Sequence, residues 1–219
     1  MAQTIKEAIL RDKLIVIMRG IFGENALKLV DALHENGINL FQVTFPQSDP
    51  AALEKTSELI EQLTKEFGSA VCMGAGTVLS VQQANCAFQA GAKYIISPNV
   101  DERVIHFTKQ VDLVSIPGAY TPSEIMTAYN AGADFIKLFP INAMGFSYIK
   151  DISAPLSHIP FIATGGVKED NLCECLDLGM VGAGISSWLA DRKLIGEGQF
   201  NILGERAARM VKMIQEHNA

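Results

Sequence analysis

Short, continuous apolar runs alternate with longer segments of helical spacing along most of the chain. In the first pair, the apolar run 14–20 is followed by the segment 24–36, where Leu29, Val30 and Leu33 recur at the spacing of one helix face. Such a pair predicts a buried strand and then an amphipathic helix. The unit recurs, and the predicted strands are 14–20, 38–45, 70–73, 94–97, 113–116, 135–139, 161–164 and 180–185.

Residues that favour helix ends mark the segments between these strands. The predicted helices are 24–36, 50–67, 80–90, 101–109, 122–131, 147–152, 168–178 and 200–217. Ser80 can cap the N-terminus of its helix, and Thr121 with Glu124 forms a capping-box arrangement around Pro122. Glycines that can adopt a left-handed conformation follow five of the helices, at Gly37, Gly68, Gly91, Gly132 and Gly179.

The predicted strands are apolar throughout instead of alternating, so both of their faces must be covered. Strands of this kind belong to a parallel sheet covered by helices, and eight strand–helix units close into a TIM (β/α)8 barrel. We therefore predict an α/β fold and a single domain over residues 1–219. An open doubly wound sheet is the alternative, but Gly74-Ala75-Gly76 and Gly182-Ala183-Gly184 both lack the third glycine of a dinucleotide-binding loop.

Composition narrows the classes of function. The 219 residues are 48% apolar and 19% charged, as expected for a globular chain with one large core. The net charge of −6 argues against a general affinity for nucleic acid, which depends on cationic surfaces. The N-terminus lacks the features of a signal peptide and no stretch reaches membrane-spanning length, so we expect a cytoplasmic protein that does not bind membranes.

Residues that could bind a metal are scattered along the sequence. The four cysteines, Cys72, Cys86, Cys173 and Cys175, include no C-x-x-C pair, and no histidine lies at a zinc-ligand interval from them. We interpret the cysteines as free, mostly buried thiols, and we expect neither a metal nor another cofactor.

One charged residue lies inside a predicted strand. Lys137 is found in the segment 132–140, Gly-Ala-Asp-Phe-Ile-Lys-Leu-Phe-Pro. Apolar neighbours should remove water from its ammonium group and lower its pKa below the usual value of about 10.4. Because a neutral lysine amine condenses with ketones and aldehydes, Lys137 is a candidate for Schiff-base chemistry. The alternative is a lysine whose stem lies along apolar surface while its head reaches water.

In a TIM barrel, the functional groups lie at the C-terminal ends of the strands. The polar residues at those ends are Arg19, Gln42, Thr44, Thr77, Ser97, Asn99, Lys137, Thr164, Ser186 and Ser187. Together they could supply donors for a carboxylate and an amine for a ketone. The last two loops could form a phosphate pocket, because Gly165 and Gly166 let backbone N–H groups approach a ligand at a predicted helix N-terminus. A simple tight turn is the alternative for this glycine pair.

Seven motifs, in this order, resemble the 2-keto-3-deoxy-6-phosphogluconate aldolase family, which includes 4-hydroxy-2-oxoglutarate and 2-keto-3-deoxy-6-phosphogalactonate aldolases. They are Ile17-Met18-Arg19-Gly20, Gly74-Ala75-Gly76-Thr77-Val78, Ser97-Pro98-Asn99, Pro117-Gly118 with Thr121-Pro122-Ser123-Glu124, Lys137-Leu138-Phe139-Pro140, Thr164-Gly165-Gly166 and Ser187-Trp188-Leu189. The resemblance implies a metal-independent class I aldolase on a TIM barrel, assembled as a homotrimer. Its substrate would be a 2-keto-3-deoxy sugar acid, cleaved to pyruvate and an aldehyde.

The resemblance also implies a role for each site residue. Lys137 would form the Schiff base with the keto acid, Phe139 would pack beside it, and Thr77 would hold the pyruvate carboxylate. The phosphate would be held by Gly165, Gly166 and Ser187. Arg19 and Thr164 are further candidates for binding the substrate.

The second predicted strand departs from the family pattern. The family has Glu-Val-Thr-Leu-Arg-Thr where residues 42–47 read Gln-Val-Thr-Phe-Pro-Gln. Gln42 replaces the glutamate that acts as general base, and Pro46 replaces an arginine that binds the substrate carboxylate. An amide can hydrogen-bond a hydroxyl or orient water, but it cannot accept the proton near neutral pH. Arg19 could reach the same carboxylate or the phosphate.

Three interpretations of Gln42 stay open. They are an active aldolase with another base or a water relay, a weakened relative acting on a different 2-keto acid, and an engineered change from glutamate that traps the imine. Pro46 argues against the third, because such engineering usually alters one residue. Two hypotheses about function therefore stand: an aldolase, and a non-catalytic relative that binds a sugar acid or a phosphate.

Overall fold

The computed structural model describes residues 2–218, and its strands form one parallel sheet in the order β5-β4-β3-β2-β1-β9-β8-β7-β6. The strands are β1 Leu14–Met18, β2 Leu40–Thr44, β3 Cys72–Gly76, β4 Tyr94–Ile96, β5 Val114–Ile116, β6 Gly118–Ala119, β7 Ile136–Leu138, β8 Phe161–Thr164 and β9 Met180–Ile185. The helices are α1 Ala2–Asp12, α2 Glu24–His34, α3 Ala52–Phe67, α4 Val81–Gln89, α5 Glu102–Gln110, α6 Pro122–Asn130, α7 Ile141–Met144, α8 Phe146–Ser153, α9 Leu172–Asp177, α10 Arg192–Gly196 and α11 Phe200–His217.

The strands β5 and β6 are two parts of one barrel strand, divided at Pro117. The first part pairs with β4 and the second pairs with β7. The Pro117 carbonyl still accepts a hydrogen bond of 2.9 Å from the Lys137 N–H, so the hydrogen bonding to β7 continues through the proline. The nine strands therefore correspond to the eight predicted ones, and they form a nearly closed barrel with alternating helices, which confirms the predicted fold class.

The interior of the barrel and its outer face form two apolar clusters. The interior cluster contains Ile15, Leu40, Tyr94, Ile96, Val114, Ile116, Phe135 and Ile162, together with Ala2 and Ile9 from α1. Helix α1 therefore covers the N-terminal ends of the strands, since it ends directly before β1 and contributes to this interior. The outer cluster packs the strands against the surrounding helices. Both faces of each strand are buried, as the continuous apolar runs predicted.

Several predicted helix ends are correct. Ser80 Oγ accepts a hydrogen bond of 3.2 Å from the Gln83 N–H, and Glu124 accepts one of 2.8 Å from the Thr121 N–H, which completes the capping box. All five helix-ending glycines have positive φ, at Gly37, Gly68, Gly91, Gly132 and Gly179. The local signals at these ends therefore agree with the tertiary structure.

Other predicted helix boundaries are wrong. The helix predicted at 168–178 begins only at Leu172, because residues 167–171 form a turn in which the Asn171 side chain accepts from the Lys168 N–H. The helix predicted from position 50 begins at Ala52. The helices α1, α7 and α10 were not predicted, and α7 and α10 span only four and five residues. Among residues 2–218, no helix is both long enough and apolar enough to cross a membrane.

Candidate active site

Lys137 lies in the middle of β7 with its side chain directed into the barrel. Alternate residues of a strand face opposite sides, and Phe135, two residues earlier, belongs to the interior cluster. Ile136 and Leu138 instead pack against the helices. The strand thus turns one amine towards the inside, where Lys137 is 6% exposed. The structure does not place this amine in bulk water.

Burial changes the acidity of this amine. Loss of hydration, and to a smaller extent the positive charge of Arg19, lower the pKa of Lys137 from 10.5 to about 8. The Lys137 Nζ atom lies 4.4 Å from the centroid of the Phe139 ring. A larger fraction of this lysine is therefore neutral near neutral pH than of an ordinary lysine, and the neutral amine is the nucleophilic form.

A cavity of about 440 Å³ opens above Lys137 at the C-terminal ends of the strands. Seven of the nine predicted site residues line it: Arg19, Lys137, Phe139, Thr164, Gly165, Gly166 and Ser187. Its remaining lining residues are Ile17, Val167, Gly184 and Ser186. The charged side chains on this lining, Arg19 and Lys137, are both basic residues. The cavity therefore suits a small, anionic molecule that carries a carbonyl group.

The backbone conformation and the neighbouring atoms both require glycine at the two positions after β8. Gly165 and Gly166 have φ of 92° and 93°. A Cβ atom would lie 2.9 Å from Pro140 Cβ at the first position and 2.7 Å from Asn142 Cβ at the second. The pair therefore presents backbone to the cavity. Because α9 begins at Leu172, the expected helix N-terminus at this pair is wrong, and any anion there would meet loop N–H groups.

A polar network joins the two loops that line this side of the cavity. Trp188 Nε1 donates to Glu169 Oε1 at 3.2 Å, which connects the loop after β9 to the turn after β8. Arg206 lies 4.4 Å from the Trp188 ring centroid and donates to the Trp188 carbonyl at 3.0 Å. Arg209 also donates to Glu169. These contacts fix the neighbouring Ser187 relative to the glycine pair.

Gln42 lies below the large cavity, in the interior of the barrel. It lines a void of about 10 Å³ together with Lys137 and Thr164, a volume close to that of one water probe. Its side chain is 2% exposed, and its Oε1 atom has no hydrogen-bond partner among residues 2–218. A Cβ atom on Gly76 would lie 2.7 Å from this oxygen, so the glycine makes room for the amide. Gln42 therefore presents an unused acceptor beside the lysine.

Thr77 lies at the same end of the barrel, directly after β3, but lines neither of these two cavities. Its φ is 56°, a left-handed conformation that is rare for a β-branched residue. The Thr77 carbonyl accepts a hydrogen bond of 2.8 Å from Gln47 Nε2. The structure thus brings eight of the predicted residues to the two cavities and leaves the ninth nearby in an unusual backbone conformation.

Gly184 contributes to the site but is not among the predicted site residues. Gly184 lines both cavities, and a Cβ atom there would lie 2.8 Å from Thr164 Oγ1. The available signal is the glycine-rich stretch of β9, which the sequence predicts as a strand and which lacks the third glycine of a dinucleotide-binding loop. Neither cavity has an aspartate or glutamate on its lining, so the residues that line them offer no carboxylate base.

Comparisons with known proteins agree with this geometry. Residues 5–205 match the family model described as KDPG and KHG aldolase. The chain is 35% identical over 175 residues to the 2-dehydro-3-deoxy-6-phosphogalactonate aldolase of Escherichia coli strain K12. This alignment covers 80% of this chain and 82% of that protein. It is 32% identical over 199 residues to the 2-dehydro-3-deoxy-phosphogluconate aldolase of Treponema pallidum strain Nichols. That alignment covers 90% of this chain and 91% of the relative.

A solved structure provides a chemical comparison. The KDPG aldolase of Legionella pneumophila, with pyruvate captured as a covalent carbinolamine intermediate, has a TM-score of 0.82 and 28% identity to this chain. The match covers 93% of this chain and 96% of that one.

The lowered pKa of Lys137 leads to a prediction about its reactivity. Trace labelling of lysines with acetic anhydride, followed by mass spectrometry, should give a Lys137 labelling rate that is half-maximal near pH 8. The rate should rise through that pH, because the deprotonated amine reacts. In Arg19→Gln the midpoint should move upwards, by less than the shift caused by burial. A wild-type midpoint near 10.5 would contradict the desolvation of this amine.

Proposed function

This chain belongs to the KDPG and KHG aldolase family and is a carbon–carbon lyase, and from that premise we propose that Lys137 is its Schiff-base nucleophile. The observation that carries the proposal is the position of this amine, which is 6% exposed and lies between the large cavity and the void that contains Gln42. In the proposed reaction, a 2-keto-3-deoxy sugar acid is cleaved to pyruvate and an aldehyde.

The first proposed step is attack by neutral Lys137 on the C2 carbonyl of the substrate. Loss of water with uptake of one proton from solvent gives a protonated imine, which withdraws electrons from the bond between C3 and C4. When that bond breaks, its electrons form an enamine, the 4-hydroxyl loses its proton, and the aldehyde departs. Protonation of the enamine at C3 and hydrolysis of the imine then release pyruvate and free the lysine.

The lining of the large cavity also offers groups for an anionic part of the substrate. We assign phosphate binding to the backbone of Gly165 and Gly166 and to Ser187, with Arg19 as the cation, because all four residues line the cavity. Thr164 adds a hydroxyl group to the lining of this cavity and to that of the void beside Lys137. The proposed substrate is therefore 2-keto-3-deoxy-6-phosphogluconate or a close phosphorylated relative, and the aldehyde is glyceraldehyde 3-phosphate.

Gln42 occupies the position from which the family's glutamate takes the proton of the 4-hydroxyl. Its unpartnered Oε1 atom can accept a hydrogen bond from that hydroxyl or from a water molecule, but an amide does not hold the proton. We propose that Gln42 orients the hydroxyl and that water carries the proton away. The absence of a carboxylate from both cavity linings favours a second candidate, a relative that binds sugar acids without cleaving them.

We also propose that the chain forms one domain and assembles as a homotrimer in the cytoplasm, as its family resemblance implies. Large apolar side chains that are exposed in the single chain, including Leu79, Val81, Tyr120 and Tyr129, give it surface that an assembly could cover. Sedimentation equilibrium should give the mass of three chains, and a mass of one chain would contradict the assembly.

The Schiff base can be tested directly by reduction. Sodium borohydride added with pyruvate should attach a reduced pyruvyl group to Lys137, because hydride reduces the imine to a stable amine. Peptide mass spectrometry locates the added mass. The label should be lost in Lys137→Met and kept in the control Lys150→Met, which removes an exposed lysine. Unmodified Lys137 at saturating pyruvate would contradict the proposed function.

Restoring a carboxylate at Gln42 tests the missing base. Gln42→Glu should raise kcat/KM for cleavage of 2-keto-3-deoxy-6-phosphogluconate by about 10²-fold or more, the usual contribution of a general base. A coupled pyruvate-release assay measures the rate, and Gln42→Met is the control that removes the polar group. If the wild type is active and Gln42→Glu changes nothing, the base lies elsewhere. If the wild type releases no pyruvate but still forms the imine, the non-catalytic candidate is correct.

A further inference from the structure

Two glutamine side chains connect the loops after β2 and β3. Gln83 Nε2 donates to Gln47 Oε1 at 3.1 Å, so the two amides are bonded to each other. Gln47 Nε2 donates to the Thr77 carbonyl at 2.8 Å, and Gln83 Oε1 accepts from the Leu79 N–H at 2.7 Å. The pair therefore binds both ends of the segment 77–79, and each amide uses its donor and its acceptor.

The segment that these amides bind contains an unfavourable backbone conformation. Thr77 has φ of 56°, although its branched Cβ makes the left-handed region costly. Such a conformation persists only where surrounding contacts hold it. Ser97 Oγ donates to the Val78 carbonyl at 2.7 Å and so fixes the middle of the segment. The glutamine pair fixes the two residues on either side of it.

We propose that Gln47 and Gln83 are positioning residues that hold Thr77 where its hydroxyl meets the carboxylate of the keto acid. The inference rests on the proposed function and on the role that the family resemblance implies for Thr77, which is to bind the carboxylate of the keto acid. Neither glutamine lines the large cavity or the void beside Lys137. Their effect therefore acts through Thr77 and concerns the binding of the pyruvyl part of the substrate.

Replacing each amide by a carboxylate of the same size separates the roles of donor and acceptor. Gln47→Glu can still accept from Gln83, but it cannot donate to the carbonyls of Thr77 and Phe45, and it places a negative oxygen beside them. Gln83→Glu still accepts from Leu79, but it loses the bond to Gln47 and places a carboxylate oxygen beside Gln47 Oε1. Gln82→Glu is the matched control, because Gln82 is exposed on the same turn of α4 and gives the same change in charge.

The experiment measures how borohydride labelling of Lys137 depends on pyruvate concentration. In Gln47→Glu, the half-saturating pyruvate concentration should rise roughly 3- to 10-fold, the effect of one or two hydrogen bonds, while labelling at saturation stays unchanged. Gln83→Glu should give a smaller rise, and Gln82→Glu should match the wild type. In the sugar-acid assay, KM should rise by the same factor with little change in kcat.

A double-mutant cycle tests whether the effect acts through Thr77. In a Thr77→Ala background the hydroxyl to be positioned is gone, so Gln47→Glu should cause no further change in the half-saturating pyruvate concentration. An undiminished effect in that background, or wild-type pyruvate dependence in both glutamate variants, would overturn the proposal. If Gln47→Glu does not fold, wild-type dependence in Gln83→Glu alone overturns it. Absence of labelling in the wild type would instead overturn the proposed function, and this role with it.

Discussion

The proposed chemistry depends on the desolvation of one amine. Lys137 lies within an apolar strand of a nearly closed barrel, and burial lowers its pKa to about 8. A charged group is costly to bury, and the fold accepts this cost at a position where the neutral form is chemically useful. The barrel provides the conditions: α1 covers the opposite end, the helices surround the sheet, and the cavity at the C-terminal ends of the strands gives access to the amine.

The groups around the amine divide into an upper region that suits anions and a lower region that is almost filled. The upper cavity has a basic and hydroxyl-bearing lining with loop backbone from a glycine pair. The lower void holds the Oε1 atom of Gln42, which has no hydrogen-bond partner within residues 2–218. A buried acceptor without a donor costs about 1–3 kcal/mol. A substrate hydroxyl or a water molecule would relieve that cost. In the proposed reaction, the missing carboxylate changes the way a proton can leave, while the role of the lysine stays that of the Schiff-base amine.

Much of this arrangement could be predicted from the sequence, because its local signals agree with the fold. Continuous apolar runs predicted all eight barrel strands, and the position of residues at strand ends predicted that Arg19, Thr164 and Ser187 would meet Lys137. The turn at 167–171 could not be predicted, because it depends on the Asn171 side chain binding back to the preceding loop. The left-handed backbone of Thr77 and its contacts with two glutamines could not be predicted either, because they depend on residues up to 36 positions apart.

The most direct measurement is a crystal structure of the chain soaked in pyruvate. The account predicts continuous electron density from Lys137 Nζ to C2 of the pyruvyl group, with its carboxylate directed to Thr77. Pyruvate bound without a covalent link to Lys137, or a lysine whose amine lies outside the barrel in solvent, would contradict it.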